Sequence, residues 1–483
     1  MNGTVITLKV LVATVLLASA PVALKRRWRL FLAIPLTVFQ VFVPGMQVAG
    51  VPIPLAYWGG LMLWPELVTE FRVLVSWKPT LYVLGIILAY VVSLLWSPDR
   101  KMGLQPIGYF AQFLIVFAAV VTEGRRDEKL IVRLLVATAV VSLIEAVLVT
   151  VGRFSPGMKL SFLLTPVAKW VITPNIIDNL FTGSFNGVMD PTKSGGMFVN
   201  ANVAATFLGV VACTAFGLAF HLRRKWLGAL GGVLLAAIIF TGSKAGLILA
   251  VAVPIVALHF ISLRYRGWRN RIRMTMTGVI FLGIIGWIGP KAIHVGETSS
   301  YAALSSFAKK SDVSLSSRLE IWEYGAQAFM RHPVKGQGFG GWQESFPRYA
   351  RTVGLSPGLP PQNTIIYLWS QGGLLAALLG LALIYEILKL GIRQIRNPEA
   401  PAFGLSLAMI AAFAWTFARG MGSNFTLLGD VHMSPILAAL LALGYLQRRP
   451  YSRAVRSHLP EQRLPVAGEI VTPYAAHSGA ANP

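Results

Sequence analysis

The sequence predicts an all-α fold, a polytopic helical membrane protein with about 12 to 13 transmembrane helices. Hydrophobic residues make up 55% of the 483 residues and charged residues only 13%. The apolar runs, such as TLYVLGIILAYVVSLLW and GGLLAALLGLALIY, are continuous, which is typical of spanning helices and not of barrel strands. Clusters of Lys and Arg separate these runs on alternate connections. These observations exclude a soluble fold.

Thirteen spans are predicted in chain order. They lie near 5–24, 30–44, 50–68, 80–96, 104–121, 130–151, 197–220, 226–241, 245–263, 274–290, 364–388, 402–418 and 434–447. The first is interpreted as a retained span and not as a secretory signal, because its cation cluster KRRWR follows the apolar run. The side on which the N-terminus lies depends on whether both members of the short pair 30–44 and 50–68 cross the membrane.

The cation clusters set the predicted orientation. EGRRDEK, HLRRK, RYRGWRNRIR, GIRQIR and QRRPYSR fall on alternate connections, which the positive-inside rule assigns to the cytoplasm. The chain then divides into residues 1–290 with about ten spans and an external loop 153–196, an external loop 291–363, C-terminal spans within 364–447, and a tail 448–483. The tail carries five Pro among polar and small residues, so we expect a disordered cytoplasmic extension.

The predicted topology explains only part of the formal charge of +24. The predicted external face carries 16 Lys and Arg against nine Asp and Glu, about +7. Positive-inside bias does not produce an external excess, whereas an anionic ligand on that face would favour it. Nucleic acid is not an expected partner. The single cysteine, Cys213, lies in an apolar run and permits no disulfide or cysteine metal site within one chain.

The segment SSRLEIWEYGAQAFMRHPVKGQGFGGWQ, in the second external loop, predicts an amphipathic helix. Ser317 and Glu320 have the spacing of a capping box, which predicts that the helix begins at Arg318. Apolar residues follow at helical spacing, and Pro333 predicts the end of the helix after about four turns. Such a helix is suited to lying along a membrane surface.

Arg318 would then lie in the first helical turn, where the helix dipole does not favour a cation. The cation and the dipole would both attract an anion. The following GQGFGGWQ could add backbone N–H groups as donors to oxyanions, or it could be a flexible turn before the chain re-enters lipid.

Two further external stretches carry cations. DPTKSGGMFVNANVAA places Lys193 at the predicted external mouth, with Asn200 and Asn202 just inside, and FTGSKAG places Lys244 at the outer end of a helix hairpin. Each lysine could be an ordinary snorkelling anchor. Their position on the same membrane side as Arg318 favours a shared anion site.

Four motifs together resemble a known family. TKSGGMFVNANVAATFL, FTGSKAGLILA, SSRLEIWEYGAQAFMRHPVKGQGFGGW and PPQNTIIYLWSQGGLLAALLGLAL are similar, in order and spacing, to the O-antigen ligase and O-antigen polymerase family. The resemblance covers roughly residues 190–390. It implies an all-helical transferase of the bacterial inner membrane, acting at the periplasmic face. It also implies transfer of a glycan from an undecaprenyl diphosphate carrier to an acceptor hydroxyl, on a glycan or the lipid A core, without metal or cofactor.

The family pattern has a Ser-Arg pair where this chain has Ser243 and Lys244, an arginine matched by Arg318, and a His-Asn pair where this chain has Gln362 and Asn363. Lysine keeps the charge but loses bidentate phosphate geometry. An amide hydrogen-bonds but does not accept a proton as imidazole does. The predicted catalytic residues are Arg318, Lys244 and Gln362, and the predicted substrate-binding residues are Lys193, Asn202, Asn363, Trp322 and Arg331.

No general base is favoured by spacing. The external candidates are Glu320, Glu323, Asp178, Asp190, His294, His332 and His432, while Glu145 and Glu386 lie within spans and are assigned no role.

The predicted function is polymerisation of exopolysaccharide or O-antigen repeats, with the lipid A core ligase as an alternative. A lipid-linked oligosaccharide flippase or transporter is an alternative of another class, and a multi-span peptidoglycan-type glycosyltransferase is a third. Membrane lipid and a chain-length regulator are further expected partners.

Overall fold

A computed structural model describes residues 23–39, 42–48, 51–172, 193–264, 313–395, 403–423 and 426–448, with single positions 19, 21 and 276. Nearly all of the predicted spans near 5–24 and 274–290 lie outside the described residues. So does the predicted tail beyond residue 448.

The described N-terminal part consists of short elements followed by longer helices. They are α1 (Arg26–Ala33), a 3-10 helix (Pro35–Val38), β1 (Phe42–Val48), β2 (Val51–Pro54), α2 (Leu55–Leu61), α3 (Pro65–Thr69), α4 (Phe71–Ser76), α5 (Lys78–Ser93), α6 (Lys101–Gly124), α7 (Glu128–Val141), α8 (Leu143–Phe154), α9 (Pro156–Leu163) and α10 (Ala168–Val171).

The remaining elements are mostly long helices. They are a 3-10 helix (Gly196–Phe198), α11 (Ala201–Leu222), α12 (Lys225–Thr241), α13 (Lys244–Arg264), α14 (Val313–Arg331), α15 (Gly341–Thr352), α16 (Thr364–Ile395), α17 (Phe403–Gly420) and α18 (Ser434–Leu446).

The predicted fold class is confirmed. Within the described ranges, five helical segments are long and apolar enough to cross a membrane: Lys101–Gly124, Glu128–Phe154, Ala201–Leu222, Thr364–Ile395 and Phe403–Gly420. Four shorter apolar helices accompany them, at Lys78–Ser93, Lys225–Thr241, Lys244–Leu258 and Ser434–Leu446. The protein is therefore an all-α polytopic membrane protein with one small antiparallel hairpin, β1 and β2.

The predicted pair of helical spans near 30–44 and 50–68 is wrong in form. The chain instead makes α1, a 3-10 turn, the β1–β2 hairpin, α2 and α3 over this region. Proline accounts for much of the difference, because Pro35 and Pro65 begin new helices, and Pro44, Pro52 and Pro54 stand in or beside the strands.

Ion pairs fix these short elements to the predicted cytoplasmic end of the bundle. Arg26 pairs with Glu66 at 2.7 Å and with Glu123 at 3.4 Å, and Arg125 pairs with Glu70 at 2.6 Å. The three carboxylates are buried, so each needs its partner to offset the cost of desolvation. The network gathers residues of α1, α3, α6 and the EGRRDEK cluster at one end, as the predicted orientation requires.

Close packing of α11 against α17 positions the site. A Cβ on Gly217 would meet Gly404 and Ala408, and a Cβ on Gly209 would overlap the ring of Trp415. Small residues let two helix backbones approach closely, as is common between membrane helices. The last turn of α17 therefore lies directly against the first turns of α11.

Candidate functional site

The helix α14 carries Arg318 and begins earlier than predicted. It spans Val313–Arg331, so Ser317 and Arg318 lie inside the helix and the predicted capping box is wrong. The Glu320 carboxylate instead accepts a hydrogen bond from the Tyr349 hydroxyl at 3.1 Å. The helix α14 ends at Arg331, before Pro333, as predicted. Because Arg318 lies in the second turn, its charge and the helix dipole do not combine at the helix start as expected.

The Gly-rich segment after α14 packs against a break in α16. Gly373 has φ 75° and ψ −173°, which interrupts the helix. The N–H of Leu374 donates to the Val334 carbonyl at 2.8 Å, and the N–H of Gln337 donates to the Ser370 carbonyl at 2.9 Å. The succession Pro-x-x-Gly-x-Gly thus fits the loop into the helix break.

Glycine is required on both sides of this contact. Gly336 has φ 68°, and a Cβ there would meet the carbonyl oxygen of Trp369 at a distance that real Cβ atoms do not show. A Cβ on Gly373 would meet the Val334 carbonyl in the same way. The segment is therefore not the flexible turn considered as an alternative.

The predicted use of this segment as an oxyanion cradle stays a prediction, and several of its backbone N–H groups already have partners within the protein. The N–H of Phe339 donates to the Ser97 hydroxyl at 2.7 Å, and the N–H of Gly341 donates to the Gly338 carbonyl at 3.2 Å. The N–H of Gln337 is also occupied, as given above. These donors stabilise the loop against Ser97, just after α5, and against α16, so they are not free for a ligand.

Gln362 lies beside the Arg318 face of α14. Trp322, one turn after Arg318, donates its indole N–H to the Gln362 carbonyl at 3.4 Å. Gln362 has φ 48°, a left-handed conformation that is uncommon for a residue other than glycine. Strained backbone of this kind clusters at functional sites.

Asn363 caps the following helix. Its Oδ1 accepts from the N–H of Ile365 at 2.9 Å and from that of Ile366 at 3.2 Å, and the residue is buried. Capping explains why the residue before α16 is an asparagine. The predicted substrate contact of Asn363 stays a prediction.

The FTGSKAG motif forms the turn between α12 and α13. Gly242 has φ 71° and ends α12, and Ser243 Oγ accepts from the Gly246 N–H at 3.3 Å, which caps α13. Lys244 is the first residue of α13. The positive end of the α13 dipole lies at Lys244, where it does not favour a cation. The lysine charge and the helix dipole would therefore both attract an anion, as the sequence analysis expected for Arg318.

A chain of hydrogen bonds leads from this turn to α17. The Ser243 hydroxyl donates to Asn202 Oδ1 at 2.8 Å, and the Thr206 hydroxyl donates to the Asn202 carbonyl at 2.7 Å. Arg419 Nε then donates to Thr206 Oγ1 at 3.2 Å. Arg419 in turn lies close enough to Arg318 for electrostatic repulsion between the two guanidinium groups.

We name Arg318, Gln362, Ser243, Asn202 and Arg419 the external cluster, after the membrane side that the sequence predicts for them. The motifs from three distant stretches of sequence thus meet at one end of the bundle, opposite the end that carries the Arg26 and Glu123 ion pair. Lys244 adjoins the cluster through Ser243.

Lys193 lies at the start of a short segment before α11, which contains the 3-10 helix Gly196–Phe198. Its side chain is exposed, and its carbonyl accepts from Lys159 Nζ at 3.1 Å. The next residue, Ser194, donates its N–H to the Thr241 carbonyl at 3.1 Å, which brings the segment beside the α12–α13 turn. Lys193 therefore lies at the rim of the external cluster.

A buried carboxyl group holds the short segment before α11. Glu145, in the first turn of α8, is fully buried, and its Oε2 accepts from the N–H of Met197 at 2.9 Å. A Cβ on Gly196 would overlap the carboxylate. The sequence assigned Glu145 no role, and the structure gives it one in positioning the segment that leads to Asn202.

Arg331 is not brought to the cluster. It is exposed at the far end of α14, roughly 20 Å from Arg318 along the helix at 1.5 Å per residue. It lies where a cation favours the dipole of α14, which is sufficient reason for its position.

The general-base candidates are placed in different surroundings. Glu320 is partly buried and bound by Tyr349, whereas Glu323 and His332 are exposed. His432 is buried, with Nδ1 2.8 Å from the Thr37 carbonyl and its ring against Phe198. Asp178, Asp190 and His294 lie outside the described residues.

Burial and the hydrogen bond to Glu320 raise the pKa of Tyr349 to about 12, and the nearby Glu320 and Glu323 charges act in the same direction. Tyr349 therefore keeps its proton and stays a donor to Glu320 at neutral pH.

Tyr324 packs edge-on against Trp342 and Phe346. These three rings form a small aromatic core within the predicted external loop.

An apolar groove of about 370 Å³ reaches, at Trp415, to within one helical turn of Arg419. It runs between α11, α12, α13 and α17, and its lining includes Phe216, Pro254 and Trp415. Trp415 is one helical turn from Arg419. No group of three or more His, Cys, Asp or Glu side chains in the described ranges could hold a metal ion.

The sequence did not single out Arg419, which belongs to the external cluster, or Thr206, to which Arg419 donates. The available signal was an arginine at the predicted external end of an otherwise apolar span, WTFARG. A charged residue in a membrane helix is by default a functional candidate.

The fold and the external cluster define a polytopic helical membrane protein with converging cations at one end of its bundle. Residues 229–381 match the family model described as O-antigen ligase. The match confirms, over these residues, the assignment to the O-antigen ligase and polymerase family that the motifs predicted. No curated protein matches the chain.

Proposed function

We propose that the protein is a membrane glycosyltransferase that moves a glycan from an undecaprenyl diphosphate carrier to an acceptor hydroxyl at the periplasmic face of the bacterial inner membrane. The observation that carries the proposal is the meeting of Arg318, Gln362 and the Ser243–Lys244 turn at one end of the bundle. All of these residues lie within the segment that matches the O-antigen ligase family.

The cluster suits the departure of a diphosphate. The acceptor oxygen attacks the sugar carbon that bears the diphosphate, and the carbon–oxygen bond to the diphosphate breaks with its electron pair on the leaving group. Arg318, with Lys244 at the helix start, would stabilise the charge that develops there. Positioned cations are worth most in a site that excludes water.

The proton of the acceptor hydroxyl has no imidazole to receive it at position 362. We infer that Gln362 orients a sugar hydroxyl or a diphosphate oxygen through its amide, and that the departing diphosphate takes the proton. No base is then required of the protein, and the cations carry the acceleration. The reaction would use no metal or organic cofactor.

The proposed acceptor is the growing end of an exopolysaccharide or O-antigen chain. We base the choice of a polymerase over a lipid A core ligase on the replacement of the family histidine by Gln362. A chain-length regulator would be a partner of a polymerase and not of a ligase.

The glycans of a deletion strain separate these activities. Loss of polymer length supports a polymerase, and loss of attachment to lipid A supports a ligase. Unchanged glycans contradict both. Complementation with Arg318→Ala at normal protein level should not restore the product, whereas Arg331→Ala, a matched control on the same helix, should restore it.

A flippase is the alternative of another class. Buried cations below the membrane surface, such as Arg419, would also suit an entry path for an anionic lipid. Conversion of purified lipid-linked glycan in detergent micelles favours the transferase, because a flippase has no second compartment there.

A further inference from the structure

We propose that Arg419 is a further substrate-contacting residue, which binds the diphosphate of the lipid-linked donor from the side opposite Arg318. The inference rests on the proposed function. Arg419 lies outside the segment that matches the O-antigen ligase family, so the proposal concerns this chain's own residues.

Arg419 is 2% exposed and is among the largest buried side chains in the described part of the protein. Its Nε is held by Thr206 Oγ1, but its Nη2 is buried and has no hydrogen-bond partner. A buried donor without a partner loses its hydrogen bonds to water without a replacement, which destabilises the protein unless a ligand accepts from it. An arginine held at Nε keeps its terminal nitrogens in a fixed direction for a ligand.

The electrostatic surroundings of Arg419 also favour an anion. No carboxylate in the described ranges pairs with it, and the charged group that acts on it is Arg318, which repels it. Two cations that approach each other in a buried region are stable when an anion lies between them. A diphosphate, with several acceptor oxygens, could accept from both guanidinium groups at once.

A structural role is the competing explanation. Arg419 lies in the last turn of α17, where a cation favours the helix dipole. This explanation accounts for a positive charge at this helix end. It does not account for the unpartnered Nη2 or for the nearby Arg318, whose positive charge repels that of Arg419.

The position of Arg419 also matches the shape of the expected ligand. Trp415, one turn below, lines the apolar groove, so Arg419 stands where the apolar groove approaches the external cluster. A prenyl diphosphate has an apolar chain next to its charged head. Arg419 therefore lies at the boundary where the two parts of such a molecule would meet.

The test measures binding of farnesyl diphosphate and of farnesol to the purified full chain in detergent. Arg419→Met removes the charge and keeps an apolar side chain of similar length, and Arg419→Lys keeps the charge. Arg29→Met is the matched control, because Arg29 is also a buried arginine but lies at the opposite end of the bundle, where it binds the Met62 carbonyl and lies 3.9 Å from Glu66, which keeps Arg26 as a partner.

We expect Arg419→Met to weaken farnesyl diphosphate binding about 10- to 100-fold, the usual effect of a lost charged hydrogen bond, with unchanged farnesol binding. Arg419→Lys should recover part of the affinity, and Arg29→Met should bind as the wild type does. If Arg318→Ala loses affinity while Arg419→Met does not, the inference is wrong and the proposed function stands.

An equal loss of farnesol and farnesyl diphosphate affinity in Arg419→Met would show a packing role and overturn the inference. A wild-type protein that binds both molecules equally would contradict the proposed function, and the inference with it.

Discussion

Replacing Gln362 with Gly and, separately, with Ala would distinguish the role of its backbone from that of its side chain. The residue has φ 48°, and its carbonyl accepts from the Trp322 indole. Both variants remove the amide, but only Gly adopts a left-handed conformation without steric cost. The two variants should therefore differ in stability and agree in activity.

The expected magnitudes follow from the conformation. A left-handed backbone costs a residue with a Cβ roughly 1–2 kcal/mol. Glycine loses more conformational entropy on folding, which offsets about 0.5–1 kcal/mol of this advantage over Ala. We expect the Gly variant to be more stable than the Ala variant by about 0.5–1 kcal/mol, measured by titration with SDS in mixed micelles.

Activity should fall in both variants. If the amide hydrogen-bonds the charged donor, its loss costs about 1.5–3 kcal/mol, which is roughly 10- to 100-fold in rate. The assay follows release of the lipid diphosphate from purified lipid-linked glycan. Equal stability of the Gly and Ala variants would refute the backbone reasoning, and a wild-type rate in both would refute a role for the side chain.

Three further predictions concern residues that support the site. Gly373→Ala should destabilise the protein by about 2–3 kcal/mol in the same titration, because it combines a positive φ with a clash; a wild-type stability would contradict the helix break. Glu145→Ala should lose about 1–3 kcal/mol and much of the activity, since the Met197 N–H loses its acceptor, whereas Glu145→Gln should lose far less; equal losses would argue against a positioning role. Because folding raises the pKa of Tyr349 to about 12, the protonated hydroxyl stabilises the folded protein fully below pH 10, and this stabilisation is lost as the pH rises toward about 12. Tyr349→Phe should therefore show a smaller fall in melting temperature over that range, and an unchanged fall would contradict the contact with Glu320.

The long apolar runs predicted the membrane class and most long helices, because twenty apolar residues have few other stable environments. The region 26–76 was not predictable in the same way. Its apolar runs are divided by prolines, and a short apolar run is compatible with either a helix or a strand. Partly buried ion pairs such as Arg26 with Glu66 join residues distant in sequence, so local patterns did not reveal them.

The candidate site was predictable where a motif is continuous in sequence. Arg318, Lys244 and Gln362 were found in this way, and the structure places Gln362 against Trp322, one helical turn after Arg318. The capping box at Ser317 was a false signal, because the same spacing also occurs inside helices. Arg419 was missed because its significance depends on a hydrogen bond to Thr206, 213 positions earlier in the chain.

The central claim is that cations at the external end of the bundle stabilise a departing lipid diphosphate. The most direct measurement is turnover of purified lipid-linked glycan by the purified protein in detergent micelles, with wild type and Arg318→Ala compared at equal protein level. The account predicts glycan transfer with stoichiometric release of the lipid diphosphate by the wild type and a loss of at least about 100-fold in Arg318→Ala. Turnover that does not depend on Arg318, or movement of intact lipid-linked glycan across proteoliposomes without turnover, would contradict it.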